Sequence, residues 1–160
     1  QKHVFPYFAL SALMCLDTYL TDVYGKHMFV LWVLFSVLPV IDLILPLDYW
    51  NPTIEEKKEM KKQLKWRVPP IFFCFLSWYR FFWGMNKLTS GELSTAQTVY
   101  ITAILGLGVG MIFGVAHEIY HKKDLFSRVF GTLVMVNTLF MQYFIEHVYM
   151  HHRYVATPLD

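Results

Sequence analysis

Four apolar stretches, residues 4–20, 28–47, 68–85 and 97–116, each come close to the roughly 20 residues a helix needs to cross a bilayer. A soluble domain has no use for so many. Composition agrees: 56% of residues are hydrophobic, 18% aromatic and only 16% charged. The expected class is an all-α polytopic membrane helix bundle, a single membrane domain with four spans in these 160 residues. Cys15 and Cys74 lie far apart inside apolar runs, so they suggest neither a disulfide framework nor a thiolate metal site. The chain opens on Gln1 without a charged leader and stops at Asp160 without a closing element, and it reads as the amino-terminal piece of a longer protein.

The link over residues 48–67 carries Lys57, Lys58, Lys61, Lys62, Lys65 and Arg67 against Asp48, Glu55, Glu56 and Glu59, whereas the other links offer only Lys26 and Lys87. The positive-inside bias makes that link cytoplasmic. Within it, Thr53 followed by Glu56 has the form of a capping box. A short surface helix is expected there, either simply solvated or turning Ile54, Met60 and Leu64 toward the membrane. With this orientation the fourth span returns to the cytoplasm, and residues 117–160 form a cytoplasmic or interfacial region. A fifth apolar stretch, about 129–145, carries Thr132, Asn137, Thr138 and Gln142. If it crossed, it would hold His117 and His147 some 25 Å apart, at about 1.5 Å per residue. It is expected to bend back or to lie in the interface. Gly106, Gly110 and Gly114 have the spacing that lets membrane helices approach closely; Gly106, Gly108 and Gly110 are no dinucleotide fingerprint, since no strand precedes them.

Five of the seven histidines lie between residues 117 and 152. His117 and His121 are four apart, as are His147 and His151, so each pair projects from one helical face toward a common ion. His152 points about 100° away on an ideal helix and suits a second metal beside the first. Imidazoles without thiolates fit iron, copper, zinc or nickel. A lone membrane histidine such as His3 or His27 is usually a packing residue, but five clustered at an apolar boundary are costly without ligation. Glu118 and Glu146 each adjoin a ligand candidate, placed to accept an imidazole N–H or, less readily, to ligate directly. His117, Glu118 and His121 also satisfy the HExxH pattern of an intramembrane zinc protease, a reading that leaves three further histidines unused.

The runs HEIYHKK and EHVYMHHRYVATPLD closely resemble the first two histidine boxes of the integral-membrane alkane monooxygenases, HExxHK and EHxxxHHxxVATPxD. The match includes the non-ligand positions Val155, Ala156, Thr157, Pro158 and Asp160. LPVID with Pro39 and Asp42, then Asp48, Asn51 and Pro52, looks like the family's second helix and following link. The resemblance implies six membrane helices in the whole fold, a cytoplasmic site holding two non-haem irons, and oxygen-dependent hydroxylation of medium- to long-chain alkanes to primary alcohols. It carries His117, His121, His147, His151 and His152 over as iron ligands. Asp160 joins Glu118 and Glu146 as a candidate to orient them. Electrons would come from rubredoxin, reduced by a flavin-dependent rubredoxin reductase; the chain shows no flavin or nucleotide site of its own. Membrane lipid is an expected partner and nucleic acid is not, and a bacterial cytoplasmic membrane is the expected location.

The family's third box, NYxEHYGL, and its later HxxHH cluster do not occur up to Asp160. Five histidines underfill two irons, so this piece alone is expected to hold well below two irons and to hydroxylate nothing. A fatty acid desaturase, a sterol-type hydroxylase or a xylene monooxygenase would share clustered histidines, and a non-catalytic membrane subunit could keep half the site; the VATPxD continuation favours alkane hydroxylation. An alkane needs a long apolar channel, for which Trp32, Phe35, Trp78, Phe81, Phe82 and Phe113 are candidate walls as well as ordinary packing residues. Asp17, Asp42 and Arg80 lie within or near apolar spans, where a charge usually has a partner or a function. Asp42 is expected toward the cytoplasmic end, near the histidines.

Overall fold

The computed structural model describes residues 4–25, 29–46 and 51–159, and among them it contains helices and no strand. A short turn at Phe5–Phe8 leads into α1 (Ala9–Tyr24), which ends at Gly25 with φ 59°, the left-handed cap that glycine adopts without a Cβ clash. Then follow α2 (Phe29–Ile44), α3 (Ile54–Lys62), α4 (Val68–Thr89), α5 (Thr95–Tyr120), α6 (Leu125–Val136) and α7 over residues 143–154. The capping box at α3 forms as its sequence requires: Glu56 N–H donates to Thr53 Oγ1 at 3.2 Å, and Thr53 N–H donates to Glu56 Oε2 at 2.8 Å. A second box, Ser94 with Gln97, starts α5 just ahead of the expected residue 97. In α2 a π turn at Val33–Val37 precedes Pro39, whose ring cannot donate a hydrogen bond and crowds the carbonyl one turn back.

Only α5, with 26 residues and a most apolar 18-residue stretch of mean hydropathy 2.1, is long and apolar enough by itself to cross a membrane among the described residues. α2 is apolar but shorter. α1 and α4 are diluted by polar side chains that face one another. The Asp17 carboxylate accepts from Arg80 Nη2 at 2.8 Å and from Tyr100 Oη at 2.5 Å, with Asp17 fully buried and Arg80 4% exposed. Nearer the far end Asp22 accepts from Trp83 Nε1 at 2.9 Å and pairs with Lys87 at 2.7 Å. The charges in these apolar stretches are therefore neutralised between helices, the arrangement that makes them tolerable away from water. Asp42, by contrast, is exposed.

These contacts also set direction. Tyr7 meets Trp66 and Phe8 meets Phe72 at one end, Asp17 meets Arg80 midway, and Asp22 meets Lys87 at the other. Hence α1 and α4 run parallel. Tyr100, near the start of α5, meets the latter half of α1, so α5 runs the opposite way. Its C-terminus returns to the start of α4, where Leu64, Arg67 and Pro70 share a 170 Å³ cavity with Ile119 and Lys122. The basic link and the histidine region thus occupy the same end of the bundle.

The stretch 129–145 bends back. Asp124 caps α6 by accepting Ser127 N–H at 2.9 Å, and these Ser127 bonds hold its carboxyl below the ordinary range. α6 descends along α5 so closely that a Cβ on Gly131 would lie 3.0 Å from the Tyr120 ring. Its tip reaches Asn137, which shares a small cavity with Gly108 and Val109. The chain then reverses over residues 137–142, with Leu139 at φ 55°, and α7 climbs back past Phe113, which contacts Phe140 at 6.1 Å and Tyr143 at 4.3 Å. Twelve residues of α6 extend about 18 Å, short of a bilayer core. The close approaches of the bundle fall at Gly84, facing Leu105, and at Gly131; nothing lies within 4 Å of a Cβ at Gly106, Gly110 or Gly114. Among the described residues, the glycine stripe of α5 is not a packing seam.

Candidate metal centre

The reversal between α6 and α7 brings the two histidine boxes together. His117 ends its α5 face one turn beyond Phe113, and the returning α7 lays His147 against it with ring centroids 4.1 Å apart. One ring nitrogen from each of His117, His121, His147 and His152 falls within a group no more than 4.8 Å across. Inside the group lie two short pairs: His117 Nε2 to His121 Nε2 at 3.1 Å, and His147 Nε2 to His152 Nε2 at 2.9 Å. Opposite ligands on one ion with metal–nitrogen bonds of about 2.0–2.1 Å stand roughly 4 Å apart. The group is slightly wider than that, so sub-ångström side-chain shifts would close it on one ion, and a separate ion at each pair also fits. All four donors are imidazole nitrogens, a set that suits iron, copper, zinc or nickel.

The partner of His147 differs from the one that i, i+4 spacing selects. Residues Glu146–His151 form a π turn in which His152 N–H donates to His147 O. Inserting one residue per turn moves alignment from i+4 to i+5. His152 therefore enters the group, and His151, exposed with its ring 5.5 Å from that of His147, stays outside it. The structure thus pairs His147 with His152 rather than with His151, and the π turn is the physical reason.

The glutamates do not take up the histidine hydrogen bonds. Glu118 and Glu146 are exposed, and Glu146 lines an open 640 Å³ cavity together with Phe140, Tyr143, His147, Met150, His151 and Leu159. His117 Nδ1 instead lies 3.1 Å from Tyr143 Oη. Tyr143 also stacks on His147, with centroids 4.8 Å apart and planes at 18°. The sequence reading missed this residue, although its position four before His147 places it on the same helical face. Asp42 stays outside the histidine group, and Asp160 falls outside the described residues.

Burial, followed by the neighbouring imidazoles of His117, His152, His121 and His151, lowers the His147 pKa to about 4. A second charge in such a cluster repels the first, and a buried ring sheds its proton. His147 is therefore neutral at pH 7, the state in which its lone pair can bind metal. Burial raises the Tyr143 phenol, which stays protonated. The segment after the histidines closes the helix: Ala156 takes φ 63°, Thr157 Oγ1 donates to Tyr154 O at 2.6 Å, and Leu159 N–H donates to Thr157 Oγ1 at 3.3 Å. VATP thus serves as a helix stop behind His152.

No protein-family model matches the chain, and no solved structure does. Curated proteins do. The chain is 34% identical over 133 residues to an alkane 1-monooxygenase of Acinetobacter baylyi, covering 80% of this chain and 31% of that protein. It is 31% identical over 131 residues to an alkane 1-monooxygenase of Pseudomonas putida, covering 82% and 33%. Alkane 1-monooxygenase 1 of Alcanivorax borkumensis is 30% identical over 139 residues, covering 82% and 32%. In sequence, this chain belongs to the alkane 1-monooxygenase family, and it spans about a third of the length of the curated relatives it matches.

Proposed function

We propose that the protein carrying this chain hydroxylates the terminal carbon of medium- to long-chain alkanes with dioxygen, at a non-haem centre of two irons, and that His117, His121, His147, His151 and His152 supply imidazole ligands from this third of the molecule. The convergence of four imidazole nitrogens within 4.8 Å carries the reading. Nitrogen donors in two close pairs fit iron without thiolate help. When bound, iron supplies the reductive activation of oxygen that insertion into an unactivated C–H bond needs. Overall, the alkane, dioxygen, two electrons and two protons yield a primary alcohol and water.

The chain's own residues hold this chemistry. The neutral His147 offers a lone pair without first losing a proton, and α5 and α7 fix the two histidine pairs on opposing faces. Phe140, Met150 and Leu159, beside His147 and His151 in the open 640 Å³ cavity, offer apolar walls to a chain that has no polar handle. Electrons are assigned to rubredoxin and its reductase, and the ligands that complete two irons to segments beyond those described. Four bilayer crossings by α1, α2, α4 and α5, with the histidine end at the cytoplasmic face of a bacterial inner membrane, agree with the basic link lying at that same end. Glu118, Glu146 and Asp160 remain candidates to orient ligands once iron is bound.

The test is product formation. Membranes containing the gene's full product, supplied with rubredoxin, its reductase and octane or hexadecane, should yield the primary alcohol in proportion to bound iron. A new double bond in an acyl chain, hydroxylation of an aromatic methyl group, or peptide cleavage with zinc alone would sink the reading.

A further inference from the structure

We propose that Tyr143 is a positioning residue for the metal centre: its phenol oxygen accepts a hydrogen bond from the Nδ1–H of His117, and so holds the Nε2 lone pair toward the ion. The inference rests on the metal-centre reading above and assigns a partner that neither flanking glutamate provides.

His117 has two ring nitrogens, and Nε2 faces the Nε2 of His121 at 3.1 Å, inside the four-imidazole group. A metal bound at Nε2 requires the proton to sit on Nδ1. Nδ1 is 3.1 Å from Tyr143 Oη, within hydrogen-bond reach. A ligating imidazole commonly gives its other N–H to an oxygen that fixes ring angle and tautomer, and loss of that oxygen weakens metal binding about 10–100-fold. Tyr143 is itself restrained. Its ring lies 4.3 Å from Phe113, one turn before His117 on α5, and stacks on His147, one turn after it on α7. The same side chain thus touches a ligand from each box, so it sets their separation as well as the His117 tautomer. Glu118 and Glu146 point to exposed surface and leave this role open.

Tyr143→Phe keeps the ring and its stacking and deletes only the hydroxyl. The gene's full product would be purified in detergent, stripped of metal and titrated with cobalt(II), whose visible absorption bands report ligand geometry. The wild type should bind cobalt, and Y143F should raise the dissociation constant about 10–100-fold and shift the bands, with the helical circular dichroism unchanged. Tyr149→Phe, a change at an exposed tyrosine of the same helix, should do neither. In a His117→Ala background, Y143F should add less than about twofold, since Tyr143 acts through His117. Unchanged affinity and bands in Y143F, or a full further loss in the His117→Ala background, would overturn the assignment. A wild type that takes up no cobalt and no iron would overturn the metal centre itself, an outcome visible before any variant is made.

Discussion

Removing Asp17 should cost the bundle more than any other single polar substitution in α1. The carboxylate is fully buried, 2.8 Å from Arg80 Nη2 and 2.5 Å from Tyr100 Oη, and Arg80 is only 4% exposed. Asp17→Leu strands a buried guanidinium, whose other protein bond among the described residues is a long 3.4 Å contact from Nη1 to Met14 O. Breaking one side of such a pair costs about 3–5 kcal/mol. Coulomb attraction of roughly 4 kcal/mol, for unit charges 4 Å apart at an effective dielectric of 20, gives the same scale. Arg80→Met should cost a similar amount. The double variant Asp17→Leu/Arg80→Met removes both charges and should be more stable than either single variant, because replacing a buried pair by apolar side chains is often neutral or better. Reversible unfolding in mixed detergent–SDS micelles, followed by circular dichroism, measures all three. Single losses below about 1 kcal/mol, or a double loss equal to the sum of the singles within about 0.5 kcal/mol, would refute the reasoning.

His152→Ala should weaken the first equivalent of bound cobalt(II) more than His151→Ala, because the π turn puts His152 in the four-imidazole group; equal losses would argue for i, i+4 alignment once metal is bound. The metal-free protein should lose stability as pH falls. His147 is held at about 4 against an ordinary 6.5, so the unfolded chain takes up its proton first. The contribution is complete above pH 6.5 and declines as pH falls toward 4, and a His147→Gln variant should show a flatter stability profile across that window. Gly131→Ala places a methyl 3.0 Å from the ring of Tyr120, which is 2% exposed and has little room to give, so an overpacking cost of about 1–3 kcal/mol should outweigh the roughly 1 kcal/mol that alanine gains inside a helix; a net stabilisation would mean that α6 sits less tightly on α5. Ala156 stands at φ 63°, where a β-branched side chain is strained. Ala156→Val should therefore lower the melting temperature, while Ala156→Gly should be tolerated or stabilising.

Much of the architecture is legible because it follows from local chemistry. Thr53 and Glu56 announce the start of α3, since a hydroxyl and a carboxylate three residues apart satisfy each other's backbone donors whatever surrounds them. The need to join His117 and His147 forces the stretch between them to turn back, and Asn137 and Gln142 offer polar groups for the reversal. The histidine-rich character of the centre depends on residue types alone. Other features were not readable because they depend on what faces what. Asp17 and Arg80 are 63 positions apart, and only the parallel run of α1 and α4 makes them a pair. Polar faces shared between α1 and α4, and the shorter length of α2, explain why one helix among the described residues passes for a span unaided.

Which imidazoles are available to the candidate centre was thus determined by sequence, and their grouping by tertiary structure. Helical periodicity assigns His147 and His151 to one face, because an isolated strand of residues knows only 3.6 per turn. In the folded chain the helix takes an extra residue into its turn at Glu146–His151. His152 then meets His147, and Tyr143 meets His117. A hydrogen-bond register that shifts by one residue in the folded chain leaves no trace in spacing, whereas the imidazoles it rearranges are written plainly in the chain.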